Sequence, residues 1–285
     1  MALGRNLGGF FISLHKCIIH SMRKISNFHT HTMLCHHAKG TPRDYYIQAA
    51  REGCLALGFS DHCPFPSSFA DTWPHIRMSV EDSRLYIKEI QQIKDESPFP
   101  IYAGYECEYD PAFDSWYDEL KSAYGADYLV LGSHWVTDGS MHLYAPELDD
   151  LAAIGRYIDQ TIDGMRSGHF SFLAHPDLFM MGYKRWDENS IAWCKALVDA
   201  AVDLGLPLEV NGLGTMREPH NTERGMRYPY PVVEFWEMVA QSSAGVVCNS
   251  DAHRPEDVIM NAWRSRDFSS RFGLDPLDSI FAMKQ

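Results

Sequence analysis

Residues 28–37 read Phe-His-Thr-His-Thr-Met-Leu-Cys-His-His and follow a short apolar run that begins at Ile25. Side chains alternate between the two faces of a strand, so His29 and His31 are predicted to point to the same side. Two adjacent imidazoles at the end of a strand suit a metal ion better than a hydrophobic core. A hydrated, histidine-rich loop would also explain this stretch, so its interpretation depends on the rest of the chain.

Strand and helix patterns alternate along the remainder of the sequence. Apolar runs predict seven strands, at residues 25–28, 55–60, 100–105, 127–131, 170–174, 207–210 and 245–249. Amphipathic patterns predict helices at residues 42–52, 80–95, 114–123, 148–166, 190–204 and 232–241, the first with Thr41 as its N-cap and Gly53 at its end. Such alternation implies parallel strands joined by right-handed crossovers, in either a barrel or a doubly wound sheet.

The positions of the polar residues favour the barrel. A set of titratable side chains falls at or just past the C-terminal ends of the predicted strands: His29, His31, His62, Glu106, His134, His175, Asp251 and His253. In a closed barrel these ends surround one mouth, where catalytic groups gather. Strands at opposite edges of an open sheet could not converge on one site. The sequence therefore predicts an α/β, TIM-like barrel with a metal site at the C-terminal ends of its strands.

This set of side chains exceeds what one ion can coordinate, so two or three divalent ions are expected. Glu106 is the natural bridging carboxylate, because Glu108 is the only other acid at the end of the third strand. Nitrogen and oxygen ligands without a thiolate suit Zn²⁺, Mn²⁺ or Fe²⁺. Ions about 3.5–4 Å apart suit the hydrolysis of a phosphate ester.

Composition limits the class of protein. The 285 residues suit one large domain, and the net charge of -13 argues against a nucleic-acid polymer or an anionic membrane as partner. A small anionic substrate remains possible because bound cations would dominate the local field. Seven cysteines without a CxxC pair favour reduced thiols in the cytoplasm, and no transmembrane helix is expected. Residues 1–21 are interpreted as a loose extension or a mis-called start before Met22, with residues 22–285 as one domain.

The motifs together resemble the PHP (polymerase and histidinol phosphatase) superfamily, specifically its histidinol-phosphatase branch. The resemblance rests on His29-Thr30-His31-Thr32, Cys35 with His37, Gly58-Phe59-Ser60-Asp61-His62, Gly104-Tyr105-Glu106, Gly132-Ser133-His134, Ala174-His175-Pro176-Asp177 and Ser250-Asp251-Ala252-His253. It spans residues 25 to about 255. The family fold is a distorted (β/α)7 barrel with a trinuclear metal centre, so the same fold and centre are expected here.

The resemblance also implies an assignment of ligands. The first ion would take His29, His31, Glu106 and Asp251; the second Glu106, His134 and His175; the third His37, His62 and His253. The implied mechanism is in-line attack of a metal-bridging hydroxide on phosphorus, with Glu106, Asp251 and Arg217 as catalytic residues and Asp61, Asp177 and Glu209 orienting the ligands. His36, Cys35 and Cys63 are read as solvated or packing residues.

The chain departs from the family pattern in two places. After the sixth strand it reads Glu-Val-Asn-Gly-Leu-Gly-Thr-Met-Arg over residues 209–217, so the arginine is displaced. The phosphate contact is then left open among Arg217, Arg224 and Arg227. The loop at residues 63–78, rich in aromatic residues, is either a lid that sets substrate choice or a packed cover.

Three functions are therefore considered. The first is hydrolysis of a small phosphomonoester, L-histidinol phosphate foremost, in histidine biosynthesis. The second is a PHP phosphoesterase acting on another small phosphate or a nucleotide. The third is a metal-binding barrel without turnover.

Overall fold

The structure, a computed structural model, describes residues 24–281 with the exception of residues 67, 70 and 140. The interpretation of residues 1–21 concerns a part of the chain outside this range. Four parallel strands form a sheet in the order of the sequence: β1 (Ile25–Asn27), β2 (Cys54–His62), β3 (Ile101–Cys107) and β4 (Tyr128–Leu131). Two more strands that the sequence predicted, β7 (Leu208–Asn211) and β10 (Val246–Asn249), form a second parallel pair.

The predicted fifth strand is not a regular strand. Within residues 170–174, Leu173 forms isolated parallel bridges to Leu131 on one side and Leu208 on the other. The extended conformation ends directly after this segment because His175 adopts a left-handed conformation (φ 29°) and Pro176 has no N–H to donate. A further bridge joins Thr30 to Ala252, next to the ends of β1 and β10. The protein is thus an α/β structure with a curled parallel sheet, as in a distorted TIM-like barrel.

Helices follow most of the strands and cover the outside of the sheet. They are α1 (Pro42–Glu52), α2 (Val80–Glu96), α3 (Asp114–Ser122), α4 (Leu151–Arg166), α5 (Glu188–Leu204), α6 (Val233–Ala240) and α7 (Met260–Ser270). The Thr41 cap and the left-handed Gly53 end of α1 lie where the sequence placed them. The predicted start of α4 at residue 148 was wrong by three residues, because Asp150 is the N-cap and accepts the N–H of Ala153.

Two antiparallel hairpins were missed by the sequence analysis. One consists of β5 (Trp135–Asp138) and β6 (Met141–Tyr144), and the other of β8 (His220–Thr222) and β9 (Gly225–Arg227). Their strands have only three or four residues, too few for the alternation of side chains to be recognised. Both hairpins follow the C-terminal ends of strands, the first after β4 and the second after β7.

The core has two parts, on either side of the curled sheet. The larger cluster lies between the strands and the helices, and the smaller one includes Phe28, Tyr128, Val130, Phe172 and Val247. The Tyr128 hydroxyl donates to the carbonyl oxygens of Phe28 and Phe59 and so ties β4 to β1 and β2. This packed interior supports the residues at the strand ends.

Candidate metal centre

The structure brings the predicted site residues together in one cavity. The cavity has a volume of about 810 Å³, and its lining includes His31, His37, His62, Glu106, His134, His175, Asp251 and His253. His29 is fully buried directly behind it, with its Nε2 atom 3.2 Å from Nε2 of His31. These residues come from segments that are far apart in sequence and share only their position at the ends of strands.

Glu106 lies at the centre of this group. Its two carboxylate oxygens each face imidazole nitrogens, at distances from 3.0 to 3.4 Å, so that the side chain is flanked by His29, His31, His62, His134 and His175. Because a carboxylate has two oxygens, it can bind a separate ion through each. The position of Glu106 suits the bridging role expected from the sequence.

A second carboxylate, Asp251, lies on the other side of the paired histidines. Its Oδ1 atom is 3.2 Å from His31 Nε2, 3.6 Å from His29 Nε2 and 3.5 Å from His253 Nδ1. At the rim of the cavity, the Nε2 atoms of His37 and His253 lie 3.1 Å apart. His36 adopts a left-handed conformation (φ 65°) and is exposed, and it does not line the cavity.

These distances fit divalent cations. Two ligands of a tetrahedral ion with bonds of about 2.1 Å lie about 3.4 Å apart, close to the separations between the ring nitrogens and carboxylates. Among the described residues, Glu106 Oε2, Asp251 Oδ1, His31 Nδ1 and His175 Nδ1 are buried without a hydrogen-bond partner. Buried polar atoms are rarely left unpaired. The two carboxylate oxygens in particular have the position and chemistry of metal ligands.

The electrostatics of the group divide its histidines into two kinds. Burial lowers the pKa of His29, but Glu209, Asp251 and Glu106 outweigh this effect and raise the pKa well above its usual range. Burial and the neighbouring His31 instead lower the pKa of His253 to about 4. Without a cation, the buried carboxylates therefore attract protons to His29. Because a metal ligand must be unprotonated, metal binding would displace those protons and depend on pH.

Two of the three predicted orienting carboxylates contact ligand candidates. Glu209 Oε1 lies 2.8 Å from His29 Nδ1, and Glu209 Oε2 accepts the N–H of His175 at 3.1 Å. Asp61 accepts the backbone N–H groups of Thr32 at 2.9 Å and His62 at 2.8 Å. The carboxylate on Nδ1 of His29 favours a proton there and leaves Nε2 to face the cavity.

Asp177 has a different neighbour from the one predicted. Its Oδ2 atom accepts the N–H of Val232 at 2.5 Å, directly before α6, and its Oδ1 atom is buried without a partner among the described residues. The side chain thus holds the start of a helix rather than the ring of His175. Burial raises the pKa of Asp177 to about 6.

Glu108 is an orienting residue that the sequence analysis did not assign. Its Oε1 atom lies 2.6 Å from His134 Nδ1, and its Oε2 atom accepts the backbone N–H of His134 at 2.8 Å. The spacing Glu106-x-Glu108 was the available signal, because residues two apart in an extended chain point the same way. This spacing did not reveal the partner of Glu108, because His134 lies on another segment.

Backbone strain is concentrated where ligand candidates leave the strands. Ser133, His175 and Asp251 have φ values of 51°, 29° and 49°. A left-handed conformation in a residue other than glycine costs about 1–3 kcal/mol and tends to occur at functional sites. Here it turns the chain sharply at three strand ends, and so directs His134, His175 and Asp251 into the cavity.

The three candidate arginines lie in different places. Arg217 lines the cavity, and the neighbouring Tyr230 raises the pKa of its guanidinium. Arg224 is exposed, with its guanidinium 3.4 Å from Glu234. Arg227 donates to backbone carbonyl oxygens, including those of Tyr228 and Pro229, at 3.3 Å. Of the three, Arg217 alone lines the cavity that the described residues form around the centre.

In the loop at residues 63–78, the described residues, which leave out 67 and 70, mainly form a packed cover. Phe65 and Phe69 contact each other with ring centroids 4.8 Å apart, and both pack against Phe113. Trp73 is half-buried and lines the cavity. Cys35 and Cys63 are buried. The Sγ atom of Cys35 also lies within 4.8 Å of possible ligand atoms of His37 and His253, so its interpretation as a packing residue stays a prediction.

Comparison with known protein families gives the class of this protein. The family model for the PHP domain matches residues 27–212, more than half of the chain, so the protein belongs to this family. The predicted resemblance is confirmed.

Similar proteins carry the name of one branch of this family. The protein described as "Probable histidinol-phosphatase" of Deinococcus radiodurans is 30% identical over 244 residues, covering 83% of this chain and 89% of that protein. The "Histidinol-phosphatase" of Bacillus subtilis is 30% identical over 258 residues, covering 81% of this chain and 94% of that protein. The crystal structure of histidinol phosphate phosphatase from Lactococcus lactis, complexed with Zn, L-histidinol and phosphate, has a TM-score of 0.67 and is 15% identical, covering 89% of this chain and 95% of that chain.

Within the described residues, no helix is both long and apolar enough to cross a membrane.

Proposed function

We propose that this protein is a metal-dependent phosphatase that hydrolyses L-histidinol phosphate to L-histidinol and phosphate, the reaction named for its curated relatives. The observation that carries the proposal is the buried carboxylate of Glu106, flanked by five imidazoles at the floor of an open cavity. Such an arrangement is costly unless cations bind there. Metal centres of this type serve phosphate ester hydrolysis.

The fold is proposed to be a distorted (β/α)7 barrel formed by residues 22–285 as one domain. Support comes from the bridges of Leu173 to Leu131 and Leu208, which place residues 170–174 between β4 and β7. On the other side, the N–H of His31 donates to the carbonyl oxygen of Ala252 at 3.0 Å, next to β1 and β10. These contacts are what closure of the barrel at both sides requires.

The ligands are proposed as three sets, of which the first two share Glu106. The first ion takes His29, His31, Glu106 and Asp251; the second takes Glu106, His134 and His175; the third takes His37, His62 and His253. The short distances within each of the first two sets and the 3.1 Å between His37 and His253 support this division. Zn²⁺, Mn²⁺ and Fe²⁺ all suit such nitrogen and oxygen ligands.

The ions would supply positive charge for the phosphoryl oxygens and lower the pKa of water, so that a nucleophile is available near neutral pH. The side chains of the protein do the rest. Glu209 and Glu108 fix the rings of His29 and His134 through hydrogen bonds to their Nδ1 atoms. Arg217 places a guanidinium at the cavity, where its planar fork can bind a phosphate through two hydrogen bonds. No covalent nucleophile is required.

The test is phosphate release by Mn²⁺- or Zn²⁺-loaded protein, comparing L-histidinol phosphate with sugar phosphates and mononucleotides. We expect kcat/KM for L-histidinol phosphate of about 10⁴ M⁻¹s⁻¹ or more, well above the others, and its loss in His29→Ala. Similar weak rates on every compound would favour a phosphoesterase of another small phosphate. Bound metal without hydrolysis of any ester would favour a barrel without turnover.

A further inference from the structure

The cavity has a second wall that takes no part in the proposed metal centre. Trp73, Trp135 and Tyr144 line it together and are called the aromatic wall below. Trp73 comes from the loop at residues 63–78, and the other two residues come from β5 and β6. The ring centroids of Trp73 and Trp135 are 5.3 Å apart, and those of Trp73 and Tyr144 are 6.1 Å apart. Such distances are typical of interacting aromatic rings.

Several side-chain contacts hold the aromatic wall in place. Trp135 is 3% exposed and is stacked on His142, with centroids 4.5 Å apart and planes at 22°. The guanidinium of Arg77 lies 5.2 Å from the ring of Trp135, and its Nε atom donates to Asp71 at 2.7 Å. Thr72, next to Trp73 in the chain, has its hydroxyl 2.6 Å from His142 Nδ1. The wall is therefore already formed before a ligand binds, which reduces the entropic cost of binding.

A carboxylate without a partner stands beside this wall. Glu147 lines the cavity, is exposed, and has no hydrogen bond or ion pair within the described part of the chain. The other carboxylates of the lining, Glu106, Glu108 and Asp251, all face histidines. Among the charged side chains of the lining, Glu147 is thus the one free to meet a cation of the ligand.

We propose that the aromatic wall and Glu147 form a specificity subsite for an organic group that combines a flat aromatic ring with a cationic nitrogen. This inference rests on the proposed function, which places the phosphate at the metal centre. A ring stacked on Trp73 and a positive charge beside Glu147 would then select L-histidinol phosphate. Sugar phosphates offer neither feature, so they gain nothing from this wall.

The experiment measures substrate preference on single preparations of the metal-loaded protein. Three substrates are compared. They are L-histidinol phosphate; 3-(imidazol-4-yl)propyl phosphate, which is the same molecule without the amine; and glycerol phosphate, which has neither ring nor amine. Ratios of kcat/KM are taken within each preparation, so the fraction of folded, metal-loaded enzyme cancels. The variants are Trp73→Leu, Trp73→Phe, Glu147→Gln and, as control, Glu119→Gln, which alters an exposed carboxylate of α3 outside the cavity.

Trp73→Leu is expected to reduce the preference for the imidazole analogue over glycerol phosphate roughly three- to tenfold, mainly through KM, with recovery in Trp73→Phe. Glu147→Gln is expected to reduce the preference for the amine-bearing substrate over its analogue by about fivefold, while Glu119→Gln changes neither ratio. If the wild type prefers L-histidinol phosphate but both ratios are unchanged in Trp73→Leu and Glu147→Gln, the subsite is overturned and the proposed function stands. If the wild type hydrolyses glycerol phosphate as well as L-histidinol phosphate, both the subsite and the proposed function are overturned.

Discussion

At the scale of single residues, the centre depends on close approach as much as on ligand identity. Gly132 has no side chain, and a Cβ at this position would lie 2.8 Å from His134 Cε1 and 2.9 Å from Glu106 Cγ. The glycine therefore lets two ligand candidates meet. The sequence predicts only a turn at Gly132, because the side chains that leave no space for a Cβ there belong to other residues of the site.

Gly132→Ala is expected to keep the protein folded and lower kcat/KM by about 100-fold, because a displacement near 1 Å at a reacting centre has an effect of this size. The matched control is Gly155→Ala in α4, where a Cβ meets nothing within 4 Å. The control should keep full activity and gain up to about 1 kcal/mol of stability from its higher helix propensity. Steady-state kinetics and urea unfolding of both variants give kcat/KM and the free energy of unfolding. Equal activity in the two variants would contradict the explanation that a Cβ at residue 132 displaces the ligand candidates.

Arginine placement gives a second prediction at this scale. Arg217→Ala is expected to reduce kcat/KM by at least about tenfold, because it removes a guanidinium from the cavity. Arg224→Ala should change it less than about twofold, since an exposed ion pair such as that with Glu234 contributes little. Steady-state kinetics of the two variants with L-histidinol phosphate as substrate provide the measurement. A larger effect in Arg224→Ala than in Arg217→Ala would contradict the assignment of the phosphate contact to Arg217.

At the scale of elements, the strand ends and the following segments are joined by buried polar contacts. Glu209 of β7 contacts His29 after β1 and the backbone of His175, and Asn249 of β10 donates to Glu209 at 3.0 Å. Asp177 connects the segment after residue 174 to α6 through the N–H of Val232. These contacts fix the relative positions of segments that the chain itself joins only through long crossovers.

Asp177 gives a prediction about pH. Burial raises the pKa of this carboxyl to about 6 in the folded protein, above the usual value of about 3.9 in an unfolded chain. Its contribution to stability is therefore fully present below about pH 4 and is lost as the pH rises through about 6, a change of about 3 kcal/mol. Relative to wild type, Asp177→Asn should thus become more stable by about this amount between pH 4 and pH 7.5.

The measurement is urea unfolding of both proteins with a chelator present, at several pH values between 4 and 7.5. Because the histidines titrate in both proteins, their effect cancels in the difference between the two free energies of unfolding. A difference that stays constant over this range would mean that Asp177 has an ordinary pKa.

At the scale of the whole molecule, the candidate metal centre lies on a packed interior. His29 has its ring 6.4 Å from that of Phe172, which belongs to the smaller core cluster. The centre therefore closes one end of the core with buried, charged side chains. Without cations, the carboxylates of Glu106 and Asp251 face histidines whose protons must compensate for them.

Removal of metal is expected to destabilise the whole protein. Ions that bind the folded state alone add to its stability, so chelation should lower the melting temperature by at least about 5 °C. Addition of Mn²⁺ or Zn²⁺ should restore it. Differential scanning calorimetry with and without chelator provides the measurement, and Glu106→Gln serves as a variant that should melt low under both conditions. An unchanged melting temperature in wild type would argue against ions bound at this centre.

The sequence by itself determined the order of most of the strands and helices and which ligand candidates lie at strand ends. Apolar periodicity located six of the seven predicted strands, because buried strands and amphipathic helices leave patterns within a few neighbouring residues. Histidines and acids at strand ends were informative for a related reason. Parallel strands place their C-terminal ends together, so position along each strand predicts proximity in space.

Only the tertiary structure decided which of these residues meet and how. Three findings depend on segments distant in sequence. They are the contact of Glu108 with His134, the hydrogen bond that Asp177 accepts from Val232, and the position of Arg217, but not Arg224, at the cavity. The same is true of the aromatic wall, which combines a loop with a hairpin too short to leave a pattern. Side-chain contacts of this kind follow from packing in three dimensions, and packing leaves no periodic trace in a single chain.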